Sequence, residues 1–324
     1  MDVLTSRRIV LLGKSGAGKS SLANTILGED VFKINHSPLP ETSLSHAETK
    51  SVNGRSITFI DTPGFFNARS EEEMKPEIVR CTTECAPGPH AFLIVLKVEK
   101  FTEQEQAVIA EICQSFSEDA LKYAVMVFTH GDQLPDGMKI DEYVGQNQNL
   151  SDLVKKCGGR CHVVDNRYWK TDKDKNYRSN QFQVAELLNT LDRMIEANNG
   201  SYYTNDMLQE VKRKIQREEE RIRQTSENMS QGEIRNKAKI CIFDWLLIRS
   251  AGILTSVLLE ALLGVPLALV TGGAVKSAAL SGVLKGILRG YDAAEGAESP
   301  GEAVQKAVEG FRKQFGGAAD KNNK

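Results

Sequence analysis

Residues 13–20 read Gly-Lys-Ser-Gly-Ala-Gly-Lys-Ser and fill every fixed position of the pattern G-x-x-x-x-G-K-S/T. This pattern constrains the fold more than anything else in the chain, because it works only between a buried strand and a helix. Before it, Arg8-Ile9-Val10-Leu11-Leu12 is a short apolar run rich in β-formers. After it, residues 21–27 carry Leu22, Ala23 and Ile26 on one helical face. Gly13, Gly16 and Gly18 let backbone N–H groups curl round a phosphate chain. The following helix adds the positive end of its dipole. Lys14, Ser15, Ala17 and Ser21 complete the candidate nucleotide-binding loop. Lys19 is expected to reach the β- and γ-phosphates, as a binding and catalytic group, and the Ser20 hydroxyl to take one site on Mg²⁺.

Residues 28–45 form an irregular loop with Pro38 and Pro40. Two strand-like runs, 47–52 and 56–60, then flank Asn53-Gly54, a hairpin signal. The second run ends in Asp61-Thr62-Pro63-Gly64, a D-x-x-G in which Asp61 is placed to hold Mg²⁺ and the Gly64 N–H to meet a γ-phosphate. Continuous apolar runs at 91–96 and 123–128 predict strands buried on both faces. Helices are predicted over 103–116 and 179–197, and a last strand over 160–164. Strands alternating with helices define an α/β class: a mixed, mostly parallel sheet covered by helices, with one antiparallel edge. In such sheets ligands bind outside the carboxyl ends of the strands. The phosphate loop, Asp61, the 129–132 segment and Asn166 all fall at that rim.

The base is decided at Thr129-His130-Gly131-Asp132. Many GTPases carry Asn-Lys-x-Asp at this point. The Asp132 carboxylate can accept from guanine N1–H and N2–H₂, an arrangement adenine lacks. His130 stands where a lysine covers the base, Thr129 where an asparagine stands, and Asn166 is placed to support the O6 side. The expected ligands are GTP and GDP with Mg²⁺.

At these residues the chain resembles the GIMAP family, the immunity-associated nucleotide-binding GTPases, which are related to septins and chloroplast import-receptor GTPases. The resemblance covers about residues 7–198 and rests on GKSGAGKSSLANTILG, PETSLSH, FIDTPGFF, HAFLIVLKVEKFTEQEQ, THGDQL and HVVDN. It implies a G domain over 1–204 and makes Thr42 the switch threonine, closing over Mg²⁺ and the γ-phosphate. Two departures stand out. Phe65 and Phe66 occupy the place where small GTPases often orient water with glutamine, so slow hydrolysis is expected. Lys100, in Glu99-Lys100-Phe101-Thr102, matches the arginine that some members supply across a dimer in G-R-F/Y-T. Lysine lacks the planar fork of arginine. Lys100 is therefore either a third catalytic candidate, beside Lys19 and Thr42, or a plain surface lysine. The resemblance implies a guanine-nucleotide switch that forms a homodimer or GTP-dependent oligomer. The alternative is a GTP-binding scaffold with negligible hydrolysis. A P-loop kinase lacks support, since no acceptor lid is evident.

A net charge of −2 argues against a nucleic-acid partner. The six cysteines show no paired metal spacing, which favours reduced thiols. No apolar signal segment opens the chain, so a cytoplasmic location is expected. Residues 205–239 read as a charged helix or short coiled coil, with Leu208, Val211, Ile215 and Ile222 as its stripe and Glu218 interrupting it. That stripe either packs back on the G domain or self-associates. Residues 240–292 form an apolar helical segment, in which 251–275 holds a single charge, Glu260, and is broken by Gly264, Pro266, Gly272 and Gly273. Two readings stand for it. One is a pair of short helices dipping into the cytosolic face of an intracellular membrane, with Lys276, Lys285 and Arg289 near anionic lipid. The other is a soluble helical subdomain. Residues 293–324 read as a capping box at Ser299-Pro300-Gly301-Glu302, an amphipathic helix and a disordered tail.

Overall fold

The computed structural model describes residues 6–34, 46–62, 71–100, 106, 109–110, 112, 116–169, 177–226, 228–250 and 255–264. Thr42, Gly64, Phe65 and Phe66, most of the helix predicted over 103–116, and everything predicted beyond residue 264 lie outside the described residues. The chain divides into two units, one of Met1–Lys212 with Leu258–Val265 and one of Arg213–Val257 with Pro266–Lys324.

The first unit holds a six-stranded sheet. Its strands are β1 (Arg7–Leu12), β2 (His46–Val52), β3 (Arg55–Asp61), β4 (Ala91–Lys97), β5 (Ala124–Thr129) and β6 (Cys161–Val163), in the order β2-β3-β1-β4-β5-β6. Only the β2–β3 pair is antiparallel. Asn53 (φ 48°) and Gly54 (φ 77°) both adopt the left-handed conformation at its turn, which matches the twist of a two-residue hairpin. The described helices of this unit before residue 206 are α1 (Lys19–Leu27), α2 (Glu71–Cys85), α3 (Glu118–Leu121), α4 (Ile140–Gly145), α5 (Gln148–Lys156) and α6 (Asn180–Ala197).

Alternation along the strands sends Ile9, Leu11, Phe59, Leu93, Val95, Val125 and Val127 into one cluster with Leu22 and Ile26 of α1 and Leu187 and Leu191 of α6. The intervening residues Val10, Ile60, Phe92, Ile94, Met126 and Phe128 are equally buried. Burial on both faces is what a parallel sheet demands, and it explains the unbroken apolar runs. On the second face Phe92 meets Phe116 and Tyr203 edge-on, each at 5.5 Å. Asp192 of α6 binds Arg7 of β1 and Arg55 of β3, which ties that helix to the end of the sheet away from the strands' carboxyl ends.

The charged stretch read as one segment over 205–239 is two helices, α7 (Asp206–Thr225) and α8 (Gln231–Arg249). Ser230 and Glu233 make a reciprocal capping box that starts α8: the Ser230 N–H donates to the Glu233 carboxylate at 2.8 Å and the Glu233 N–H to Ser230 Oγ at 3.3 Å. Within the second unit, Lys214 lies over the Trp245 ring at 5.2 Å and Arg235 reaches Glu219 at 4.0 Å. The second half of α7 therefore pairs with α8 of the same chain, where Ile215, Ile222, Ile234, Ala238 and Ile242 are buried. Glu218, which interrupts the stripe, pairs with Arg221 at 2.6 Å.

Of the apolar stretch 251–275, the described part is α9 (Thr255–Leu263), which belongs to the first unit from Leu258 onward. Leu258, Leu259, Leu262 and Leu263 are buried there. The last carbonyls of α9 accept from Asn205 Nδ2, at 2.7 Å to Ala261 and 3.1 Å to Leu262, and from Ser117, at 3.2 Å from its N–H and 3.0 Å from Oγ to Leu263. Among the described residues no helix is long and apolar enough to cross a membrane.

Two histidines, one buried and one half-buried, set a pH limit on this packing. His90 Nδ1 accepts from the Arg8 N–H at 2.9 Å, and burial, with the Arg8 and Arg7 charges, pushes its pKa down from 6.5 to about 4. His162 lies 2.9 Å from Thr190 Oγ1, and burial pushes it likewise to about 4. Both stay neutral when folded, whereas the unfolded chain protonates them near 6.5. Stability is therefore full above that pH and falls as pH drops toward 4. Urea midpoints measured at falling pH should decline across this window, and His162→Gln should remove part of the slope.

Candidate functional site

The phosphate loop is shaped by contact with the neighbouring strand. Gly13 follows β1 with φ 155°, and a Cβ there would stand 2.4 Å from the Val95 carbonyl oxygen of β4. Only glycine lets the loop pass so close to that strand. Lys19, the first residue of α1, is 6% exposed, and its Nζ donates to the Gly13 and Lys14 carbonyls at 3.0 Å each. The loop thus holds a buried ammonium within its own curl. Gly18 is the N-cap of α1 and brings no side chain to cap the first-turn N–H groups. Such groups suit an anion. Ser15 and Gly16 are exposed, Ala17 is buried and Ser21 is half-buried.

Beside the loop, Ser20 Oγ donates to the Asp61 carboxylate at the end of β3. The next residue, Thr62, donates its hydroxyl to the Leu11 carbonyl at 2.5 Å and holds the end of β3 against β1. A hydroxyl and a carboxylate in contact are hard oxygen donors. They fit Mg²⁺, which takes one or two protein oxygens and completes its shell with phosphate and water.

The residues expected to read the base reach the same loop from two other strands. Thr129, fully buried at the end of β5, donates its hydroxyl to the Ala17 carbonyl at 2.8 Å. Asn166, beyond β6, donates to the Gly18 carbonyl at 3.5 Å and accepts from Thr25 of α1 at 3.0 Å. His130 is left-handed (φ 60°), with its ring exposed and its Nδ1 at 3.0 Å from Thr129 Oγ1. The Gly131 N–H donates to the Val164 carbonyl at 3.0 Å. A Cβ at residue 131 would lie 2.5 Å from the Trp169 ring, so the indole packs directly on the backbone of this loop. The Asp132 N–H donates to the Asp165 carboxylate at 3.3 Å.

The two acids titrate in opposite directions. Partial burial, and then a side-chain hydrogen bond with Asp165, raise the Asp132 pKa above the usual carboxylate value. For Asp165 burial alone would raise the pKa. The hydrogen bonds from Asp132 and from the Tyr168, Arg167 and Asp132 N–H groups outweigh burial and lower it.

The structure therefore brings Lys19, Ser20, Asp61, Thr129, Asp132 and Asn166 to one rim of the sheet. Lys100 is exposed just after Glu99. Glu99 itself pairs with Lys14 of the phosphate loop at 2.9 Å, and Tyr143 of α4 fixes its backbone, accepting from the Glu99 N–H at 3.2 Å and donating to its carbonyl at 2.6 Å. Sequence reasoning left Glu99, Asp165, Trp169 and Thr25 without a role at the site. Asp165 carried a signal, an acid at the end of a strand beside Asn166; Trp169 and Thr25 carried none.

A model of the AIG1 family matches residues 7–224. GTPase IMAP family member 8 of Mus musculus is 30% identical over 200 residues, covering 60% of this chain and 28% of its own length. Immune-associated nucleotide-binding protein 8 of Arabidopsis thaliana is 35% identical over 217 residues, covering 64% of this chain and 59% of its own. The chain thus spans less than two thirds of either relative. A crystal structure of Toc33 from Arabidopsis thaliana in complex with GDP and Mg²⁺ is 22% identical, covers 58% of this chain and 84% of its own, and has a TM-score of 0.45.

Thr129→Val tests the tie between the loops. It keeps the shape but removes the donor to Ala17, and should cost about 1–2 kcal/mol in urea unfolding. It should also weaken GDP and ADP binding together, because it loosens the loop expected to hold the phosphates common to both.

Proposed function

The chain belongs to the AIG1 family, and we propose that it is a guanine-nucleotide switch that binds GTP and GDP with Mg²⁺ at the carboxyl rim of its sheet. One observation carries this reading. Thr129 and Asn166, at the ends of two separate strands, are hydrogen-bonded to the Ala17 and Gly18 carbonyls of the phosphate loop. The loop that bears Asp132 is thereby tied to the loop that bears Lys19. Both relatives carry nucleotide binding or GTPase activity in their names, which supports the same reading.

The residues divide the work. Lys19 and the N–H groups at the start of α1 bind the phosphate chain. Ser20 and Asp61 would hold Mg²⁺; the resemblance assigns the switch threonine to Thr42 and a γ-phosphate contact to Gly64, both outside the described residues. Bound at Ser20 and Asp61, the metal would supply neutralisation of phosphate charge. Asp132 accepts from the guanine N1–H and N2–H₂, His130 covers the ring and Asn166 faces O6. Hydrolysis of GTP is slow, because phenylalanines stand where a water-orienting glutamine often does. Lys100, exposed at the edge of the site, is available to a second copy of the chain and supplies positive charge there.

Two measurements test this. Asp132→Asn should weaken GDP binding by about 100-fold, the worth of roughly 3 kcal/mol of charge-assisted hydrogen bonding, and leave ADP binding almost unchanged. The raised pKa of Asp132 means its charge is disfavoured in the folded protein, so the unliganded variant should be at least as stable as the parent at neutral pH. An unchanged preference for GDP removes Asp132 from the base. Single-turnover GTP hydrolysis should quicken with protein concentration and lose that dependence in Lys100→Ala. A rate that is flat with concentration and near zero favours the scaffold.

A further inference from the structure

We propose that Asp165 is a positioning residue for guanine recognition, its carboxylate joining the loop after β5 to the loop after β6 so that Asp132 and Asn166 address one purine. The proposal rests on the guanine-nucleotide reading and adds to it a residue that touches no nucleotide.

Asp165 is unfavourably placed. It is 2% exposed, and its carboxylate lies beside a second acid. A buried carboxylate next to a like charge is destabilising unless hydrogen bonds compensate. Here three main-chain donors do so: the Arg167 N–H at 2.8 Å and the Tyr168 N–H on one oxygen, and the Asp132 N–H at 3.3 Å on the other. The two oxygens therefore serve different loops.

The first oxygen curls its own loop. A side chain that accepts from the N–H groups two and three residues ahead closes a tight turn. Asn166 stands inside that turn, where it meets Gly18 and Thr25. The second oxygen holds the residue that reads the base. Asp165 is itself anchored, because Asn180 at the start of α6 brackets its main chain, accepting from the Asp165 N–H at 3.1 Å and donating to its carbonyl at 2.6 Å. The carboxylate is thus a strut between a fixed helix and two loops. Trp169 against Gly131, and the Gly131 N–H on Val164, set the same two loops in register.

Asparagine at 165 separates the two functions. Its single carbonyl oxygen can still accept from residues 167 and 168, but an amide nitrogen then faces the Asp132 N–H, a donor against a donor. The test is competition of GDP, ADP and pyrophosphate against a fluorescent GDP analogue on the full chain, for the parent, Asp165→Asn, Asp165→Ala and Asp132→Asn. Asp165→Asn is expected to stay folded with a lowered thermal midpoint, since a favoured buried charge is removed, to keep its pyrophosphate affinity and to bind GDP about tenfold more weakly, with ADP unaffected. Asp165→Ala should show a larger fall in the same ratio. The proposal is overturned if both Asp165 variants keep the parental GDP-to-ADP ratio while Asp132→Asn loses it, in which case guanine recognition itself survives. It is also overturned if GDP and ADP weaken equally, which makes the residue merely structural. A parent protein that does not prefer GDP over ADP removes the underlying reading and this proposal with it.

Discussion

The hydrogen bond from the Thr129 hydroxyl to the Ala17 carbonyl is the point on which the site depends. A buried main-chain carbonyl must find a donor, and a curled glycine-rich loop leaves several of them facing inward. The threonine at the end of β5 supplies one from across the sheet. Strand order makes this reach feasible. β1 and β5 flank β4, and Gly13 lets the loop after β1 pass against Val95 of β4. The residues proposed to bind phosphate and to read the base, which lie far apart in sequence, become neighbours on one rim.

The charges at this rim are arranged with stability set against function. Lys19 is buried, and its ammonium donates to two loop carbonyls. Asp132 is held next to another acid, and its ionised form is disfavoured before any ligand arrives. On the proposed reading, each is complementary to a different end of a nucleotide.

Much of this was legible in the sequence because local rules and global fold agree. The phosphate loop fixes its own strand and helix, Asn53-Gly54 fixes the hairpin, and the unbroken runs at β4 and β5 announce strands covered on both faces. The division of the 205–239 segment was harder to see. Charged residues continue at helical spacing through the break, and the Ser230–Glu233 capping box is a short signal inside a polar stretch. The leucines of α9 declared that they would be buried but not in what. Asn205 and Ser117, which receive the end of that helix, are ordinary polar residues until the fold brings them there. Asp165 belongs with these, since its role depends on which loops stand opposite it and not on its neighbours in sequence.

The most direct test of the central claim is a crystal structure of the full chain with GDP and Mg²⁺. The account predicts one nucleotide spanning the rim, with its phosphates on Lys19 and the start of α1, the metal at Ser20, and the guanine edge on the Asp132 carboxylate. A nucleotide whose phosphates occupy the loop while its base turns away from Asp132, toward solvent or another face, would contradict it.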